Sequence, residues 1–124
     1  MPSKVLIADD EAFIRLLIAQ TLEAFEDRGV LLLTAENGRQ ALEIIRQQKP
    51  DLVFLDVMMP ELNGFDICQA VKQDEALKHI FMVILTAKGQ ELDRQRGEQA
   101  GADVFMTKPF DPDELIGLAS SVLE

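Results

Sequence analysis

The chain has 124 residues, 48% of them hydrophobic and 27% charged, a balance that suits one domain with a buried core and excludes a disordered chain. Twelve Lys and Arg against 22 Asp and Glu leave a formal net charge of −10, so direct binding to nucleic acid or to a membrane surface is not expected, while cations are attracted. The single cysteine, Cys68, excludes an internal disulfide; the opening Met-Pro-Ser-Lys is not read as a secretory leader, no apolar run nears the ~20 residues of a membrane span, and a cytoplasmic location is expected.

The first predicted element is a strand over Val5 to Ala8, ended by Asp9, Asp10 and Glu11. An amphipathic helix follows, with Phe13, Leu16, Leu17, Ile18, Leu22 and Phe25 expected to face inward. Val30 to Thr34 forms the second strand, Asn37-Gly38 punctuates, and Ala41, Leu42, Ile44 and Ile45 mark the second helix. The third strand, Leu52 to Leu55, runs into Asp56; beyond Asn63-Gly64, Phe65, Ile67, Cys68 and Val71 mark the third helix. The fourth strand is Phe81 to Leu85, followed by Thr86-Ala87. The stretch from Glu91 to Ala100 has only Leu92 and Ala100 as clear core anchors and is read as the loosest helix. Val104 to Met106 is the fifth strand, followed by Thr107-Lys108-Pro109; Asp111-Pro112 supplies an N-cap and a first-turn proline for the last helix, which carries Leu115, Ile116, Leu118, Ala119, Val122 and Leu123.

The strand segments are continuous apolar runs, the pattern of strands buried on both faces of a parallel sheet, and they are too short for helices. Strand and helix alternate five times, roughly every 25 residues, the spacing of right-handed βαβ units. The expected fold is therefore α/β, a doubly wound parallel sheet with helices on both faces. The expected organisation is one domain over residues 1–124, with nothing after the last helix.

Ligands of an open parallel sheet bind beyond the carboxyl ends of its strands, where the strand order reverses. Here those ends are followed by Asp9 and Asp10, by Asp56, by Thr86 and by Lys108. If strands 1 and 3 are neighbours, three carboxylates converge, which is costly unless a cation neutralises them. Oxygen ligands on loops suit Mg²⁺ better than zinc, and no Cys or His cluster offers an alternative. The ion, Lys108 and the Thr86 hydroxyl together describe a pocket for a phosphate-like dianion, and the Asp56 carboxylate is a possible nucleophile. Each residue also has a plain reading. Asp9 and Asp10 suit a helix N-terminus, Asp56 and Thr86 suit turns, and Lys108 suits a solvated surface. The set, rather than any member, carries the functional reading.

With these residues in view, the chain resembles the receiver domain of bacterial two-component response regulators, of the chemotaxis-regulator type. The resemblance lies in Asp9-Asp10 after a strand, Asp56-Val57-Met58-Met59-Pro60 running on to Asn63-Gly64, Thr86-Ala87, Gly101-Ala102-Asp103 and Lys108-Pro109-Phe110, in family-like order and spacing from Lys4 to Leu123. It implies strand order 2-1-3-4-5 with five helices, a flavodoxin-like sheet. It implies that Asp56 takes a phosphoryl group from a histidine kinase or phosphotransfer protein. Asp10 and Asp56 would ligate Mg²⁺, with Asp9 acting mostly through water and the Met58 carbonyl completing the protein ligands. Lys108 would pair with Asp56 and then with the phosphoryl oxygens. Thr86 would hydrogen-bond the phosphoryl group, and Phe105, where many relatives carry tyrosine, would change rotamer. The Lys108-Pro109 bond would be cis. A downstream protein would read the face made by the fourth helix, the fifth strand and the last helix.

Other classes fit less well. A Mg²⁺-dependent aspartyl-phosphate phosphohydrolase wants a second acid two residues beyond its nucleophile, where this chain has Met58. A flavin or nucleotide carrier wants a Ser/Thr/Gly-rich loop after strand 1, where Asp9-Asp10-Glu11 would repel a phosphate. From Pro112 to Glu124 there is no Lys or Arg, which weakens the case for the salt-bridged dimer of some DNA-binding relatives and favours docking on another protein.

Overall fold

Apolar runs become adjacent strands here because each can be covered by helices on both sides. In a computed structural model of the chain, residues 3–87, 99–108 and 110–124 are described. The strands are β1 (Lys4–Ala8), β2 (Leu31–Ala35), β3 (Leu52–Asp56), β4 (Phe81–Ala87) and β5 (Val104–Lys108). The helices are α1 (Ala12–Thr21), α2 (Glu23–Asp27), α3 (Gly38–Gln48), α4 (Gly64–Lys72) and α5 (Pro112–Leu123). All strand pairs are parallel, in the order β2-β1-β3-β4-β5, so the doubly wound α/β fold and its strand order stand as expected.

Alternation along each strand divides the core in two. Leu6, Ala8, Val53, Leu55, Met82 and Ile84 point to the face covered by α3 and α4, where they meet Ala41, Ile45, Ile67, Cys68 and Val71. Val5, Ile7, Leu52, Phe54, Val83 and Leu85 point to the other face, where they meet Ile18 of α1, Leu22 at its end, Phe25 of α2, and Leu115 and Ala119 of α5. This two-sided burial is why the strands carry no polar alternation.

Three expectations need correction. The first helix is not continuous: it breaks at Leu22, whose ψ of 9° separates α1 from α2. Phe13 and Leu16, expected inward, are exposed, and Ile18, Leu22 and Phe25 do the burying. Strands 3, 4 and 5 run one or two residues further than their apolar runs, because backbone pairing continues through Asp56↔Leu85, Thr86↔Thr107 and Ala87↔Lys108 whatever the side chains' polarity. Asp56, Thr86 and Lys108 therefore sit on strand ends rather than in loops, while Asp9, Asp10 and Met58 lie just beyond them. Most of the expected helix from Glu91 to Ala100 lies outside the described residues, as does Pro109 with the peptide geometry expected there.

Helix starts follow the side chains available. Asn37 caps α3 by accepting the Gln40 N–H, Asn63 caps α4 by accepting the Asp66 N–H, and Asp111 caps α5 by accepting the Asp113 N–H with Pro112 in the first turn. At two starts the backbone approaches its neighbours too closely for any side chain. A Cβ on Gly38 would lie 1.8 Å from the Leu62 carbonyl oxygen, and one on Gly64 would lie 2.5 Å from that of Asp56. The segment leaving β3 is thus pressed between the first turns of α3 and α4, which fixes the backbone around Met58.

Candidate functional site

The switch between β1 and β3 brings the ends of those strands side by side, with Ala8 paired to Leu55. Asp9 follows β1 directly and is wholly buried; Asp56 closes β3 and is buried as well. Lys108, at the end of β5, reaches across the rim of the sheet. Its Nζ donates to Asp9 Oδ2 at 2.7 Å and to Asp56 Oδ1 at 3.1 Å, and lies 3.9 Å from Glu11 Oε1. The other Asp9 oxygen, Oδ1, accepts the Glu11 backbone N–H at 2.9 Å. Asp9 is thus spoken for at both oxygens, while the next residue, Asp10, is exposed.

A cavity of about 250 Å³ opens beside this pair, lined by Asp10, Glu11, Asp56, Val57, Met58, Leu85 and Lys108. Asp9, Asp10 and Glu11 each offer a carboxylate oxygen, all within 4.8 Å of one another. Three acids against one ammonium line the cavity, so its donor set is oxygen-only and its balance is negative. That combination fits a hard divalent cation with water completing its shell.

The electrostatics follow from burial. Desolvation lifts the Asp56 carboxyl from 3.8 to about 6, the Asp9 charge pushes the same way, and Lys108 only partly offsets both. Burial alone would depress Lys108, but the hydrogen bond to Asp9 and the charge of Asp56 outweigh it and raise its pKa. An unneutralised Asp56 is therefore a strained anion in this pocket, and a second cation would relieve it.

The sequence-derived candidates separate accordingly. Asp9, Asp10, Asp56, Met58 and Lys108 converge. Thr86 is buried on β4, beside the strand that carries Asp56, and Phe105 is half-buried against the α3–α4 side of the core; neither lines the cavity. Two neighbours escaped the sequence reading as site members. Glu11 was visible only as the third acid of a run. Arg15, three residues into α1, donates from Nη1 to the Asp9 carbonyl at 2.7 Å; its reach depends on the strand-to-helix turn and leaves no local signal.

An acid-and-lysine pocket at the switch point of a doubly wound sheet, with one acid buried, defines a ligand-binding module of the α/β class. The model of the response regulator receiver domain matches residues 5–120, and the chain belongs to that family, a phosphoacceptor signalling module of two-component systems. It is 44% identical over 119 residues to the phosphate regulon transcriptional regulatory protein PhoB of Pseudomonas aeruginosa, covering 96% of this chain and 51% of that one. It is 40% identical over 123 residues to the alkaline phosphatase synthesis transcriptional regulatory protein PhoP of Bacillus subtilis, covering 99% and 49%. The chain thus spans about half the length of the curated relatives it matches. Among solved structures, the chemotaxis response regulator CheY4 of Vibrio cholerae superposes with a TM-score of 0.85 at 32% identity, covering 99% of this chain and 100% of that one. A putative response regulator from Chloroflexus aurantiacus superposes at 0.89 and 30% identity, covering 99% and 98%. Among the described residues no helix is long and apolar enough to cross a membrane.

Proposed function

We propose that Asp56 is the phosphoacceptor, that Asp10, Asp56 and the Met58 carbonyl hold Mg²⁺, and that Lys108 and Thr86 bind the phosphoryl oxygens once the group is on Asp56. The observation that carries this reading is the Lys108 ammonium bridging Asp9 and Asp56 at the rim of a cavity whose other acids, Asp10 and Glu11, are exposed. A bound Mg²⁺ would neutralise the carboxylates and the charge of an in-line phosphoryl transfer. Asp56 supplies the nucleophilic oxygen, and Lys108 keeps the carboxylate turned into the cavity and then has its ammonium available to the transferred oxygens. Asp9, with both oxygens occupied, orients Lys108 and acts on the ion mostly through water. Thr86, through its hydroxyl, and Phe105, through packing rather than a phenol hydrogen bond, form the switch on the adjacent strands β4 and β5.

The phosphoryl donor is a histidine kinase or phosphotransfer protein, in the cytoplasm. The chain is a single receiver domain that assists its own phosphorylation and slow hydrolysis and is not a turnover enzyme. Fast hydrolysis would want a second acid two residues beyond Asp56 to serve as general acid and base, and that position holds Met58. A downstream protein docks on the face that includes β5 and α5, where Ile116 is exposed and Asp113, Glu114 and Glu124 are acidic; the domain itself does not contact nucleic acid. Sedimentation with and without beryllofluoride checks this face, and a tight activated dimer through α5 would count against it.

The deciding experiment is mass spectrometry after incubation with a small phosphodonor and Mg²⁺. One acid-labile phosphoryl group is expected on the wild type and none on Asp56→Asn, and Lys108→Ala is expected to accept some phosphoryl yet leave partner affinity unswitched. Equal phosphorylation of Asp56→Asn would remove the assignment.

A further inference from the structure

The strand-to-helix turn that carries Asp9 and Asp10 lacks the usual devices for fixing such a turn. Glu11 stands at the N-cap of α1 with no side-chain capping bond, and the first turn of the helix has no acid. The turn is held instead through Asp9. Its backbone N–H donates to the Ala35 carbonyl at 3.1 Å, Oδ1 accepts from Glu11 N–H, and Oδ2 accepts from Lys108. One group remains, the Asp9 carbonyl, which is half of the peptide that leads into Asp10. Arg15 supplies its partner, with Nη1 at 2.7 Å, the short end for a charge-assisted bond. The Arg15 backbone N–H also donates to the Glu11 carbonyl at 3.1 Å and so closes the first turn over which the side chain reaches back.

The Arg15 side chain is only 17% exposed, although its one ionic neighbour among the described residues, Glu36, is 70% exposed and 3.9 Å away. A pair that long and that wet contributes little, so the carbonyl bond is what draws the guanidinium down. We propose that Arg15 is a positioning residue of the cation site: by gripping the Asp9 carbonyl it sets where the Asp10 carboxylate stands in the cavity shared with Asp56. The proposal rests on the reading of that cavity as a Mg²⁺ site.

Arg15 as a mere surface cation makes the opposite prediction. Removing a positive charge near an acidic pocket should tighten Mg²⁺ binding, whereas removing an anchor should weaken it. The test is a Mg²⁺ titration at fixed ionic strength, followed by the amide NMR shifts of Asp10, Glu11 and Val57. Arg15→Ala is expected to weaken binding roughly tenfold, as loss of a group supporting a ligand does elsewhere. Arg15→Gln, which drops the charge but keeps an N–H for the carbonyl, is expected to recover most of that loss. Urea unfolding in EDTA checks that the variants fold; should the alanine variant fail, Arg15→Met keeps the aliphatic stem and takes its place. Unchanged or tighter Mg²⁺ binding in the variant without a donor overturns the positioning role alone, as does Arg15→Gln binding no better than Arg15→Ala. A wild type whose amides ignore Mg²⁺ overturns the cation-site reading and the proposal with it.

Discussion

Asp56 is a carboxylate that the fold buries before any ligand stabilises its charge. Its pKa of about 6, against 3.8 unperturbed, comes first from lost hydration and then from the Asp9 charge. The sign of the consequence is fixed by linkage. Below pH 4 the group is protonated folded or unfolded. Between about pH 4 and 6 the folded protein retains a proton that the unfolded chain releases, so the folded state loses stability as pH rises through that window and levels off above it. At about 1.4 kcal/mol per pKa unit the loss has an upper limit near 3 kcal/mol. Asp56→Asn keeps the volume and removes the titration. In EDTA its urea midpoint should exceed that of the wild type at pH 7 by an amount that shrinks to nothing below pH 4; a gap independent of pH would show that Asp56 is not held as a desolvated anion. The same residue shows what was legible in the sequence. Asp9, Asp10, Asp56 and Lys108 stood out as polar groups closing apolar runs, so topology alone sufficed to bring them together. Arg15 did not stand out, because an arginine on the first turns of a helix is ordinary until the turn before it is seen in three dimensions.

At the level of elements, the segment leaving β3 is shaped by its neighbours as much as by its own residues. Gly38 opens α3 against the Leu62 carbonyl, and its N–H donates to the Pro60 carbonyl at 3.1 Å. Alanine there has two opposed effects. It gains roughly 1 kcal/mol in helix propensity, but its methyl would need the space of a backbone oxygen 1.8 Å away, which no rotamer can vacate. Overpacking wins, and Gly38→Ala is expected to destabilise by about 2–3 kcal/mol in urea unfolding. Since the displaced backbone leads back to Met58, Mg²⁺ affinity should fall with it; a variant as stable as wild type would mean that the loop yields without resistance. In sequence this position was only a turn signal, because close approach between a helix start and a distant loop has no one-dimensional trace. The strands were legible as apolar runs, but their ends were not: ladder pairing carries Asp56, Thr86, Thr107 and Lys108 into strands that hydrophobicity had closed early. The inward face of α1 was misjudged for a related reason. Phe13 and Leu16 lie on the side of the helix turned away from Ile14, Ile18 and Leu22, which are the residues that meet the sheet.

Over the whole molecule, the charge imbalance read from composition acts twice, and the two actions can be separated. Twenty-two acids against 12 bases repel one another in the folded state, and any salt relieves this by screening over a Debye length of ~10 Å at 0.1 M. The cavity would add a local term, because the clustered carboxylates of Asp10, Glu11 and Asp56 would attract a divalent ion more strongly than a monovalent one. NaCl and MgCl₂ at matched ionic strength should therefore both raise the unfolding midpoint, with MgCl₂ raising it further. At ten times Kd the extra stabilisation is about 1.4 kcal/mol by mass action. Asp10→Ala removes one of 22 acids and barely alters the global repulsion, so its response to NaCl should match that of the wild type. Its excess response to MgCl₂ should disappear. Equal excess in the two proteins would place the divalent effect on the diffuse surface charge and take the cation away from the strand-end cavity; a wild type with no excess would leave Asp56 dependent on Lys108 alone.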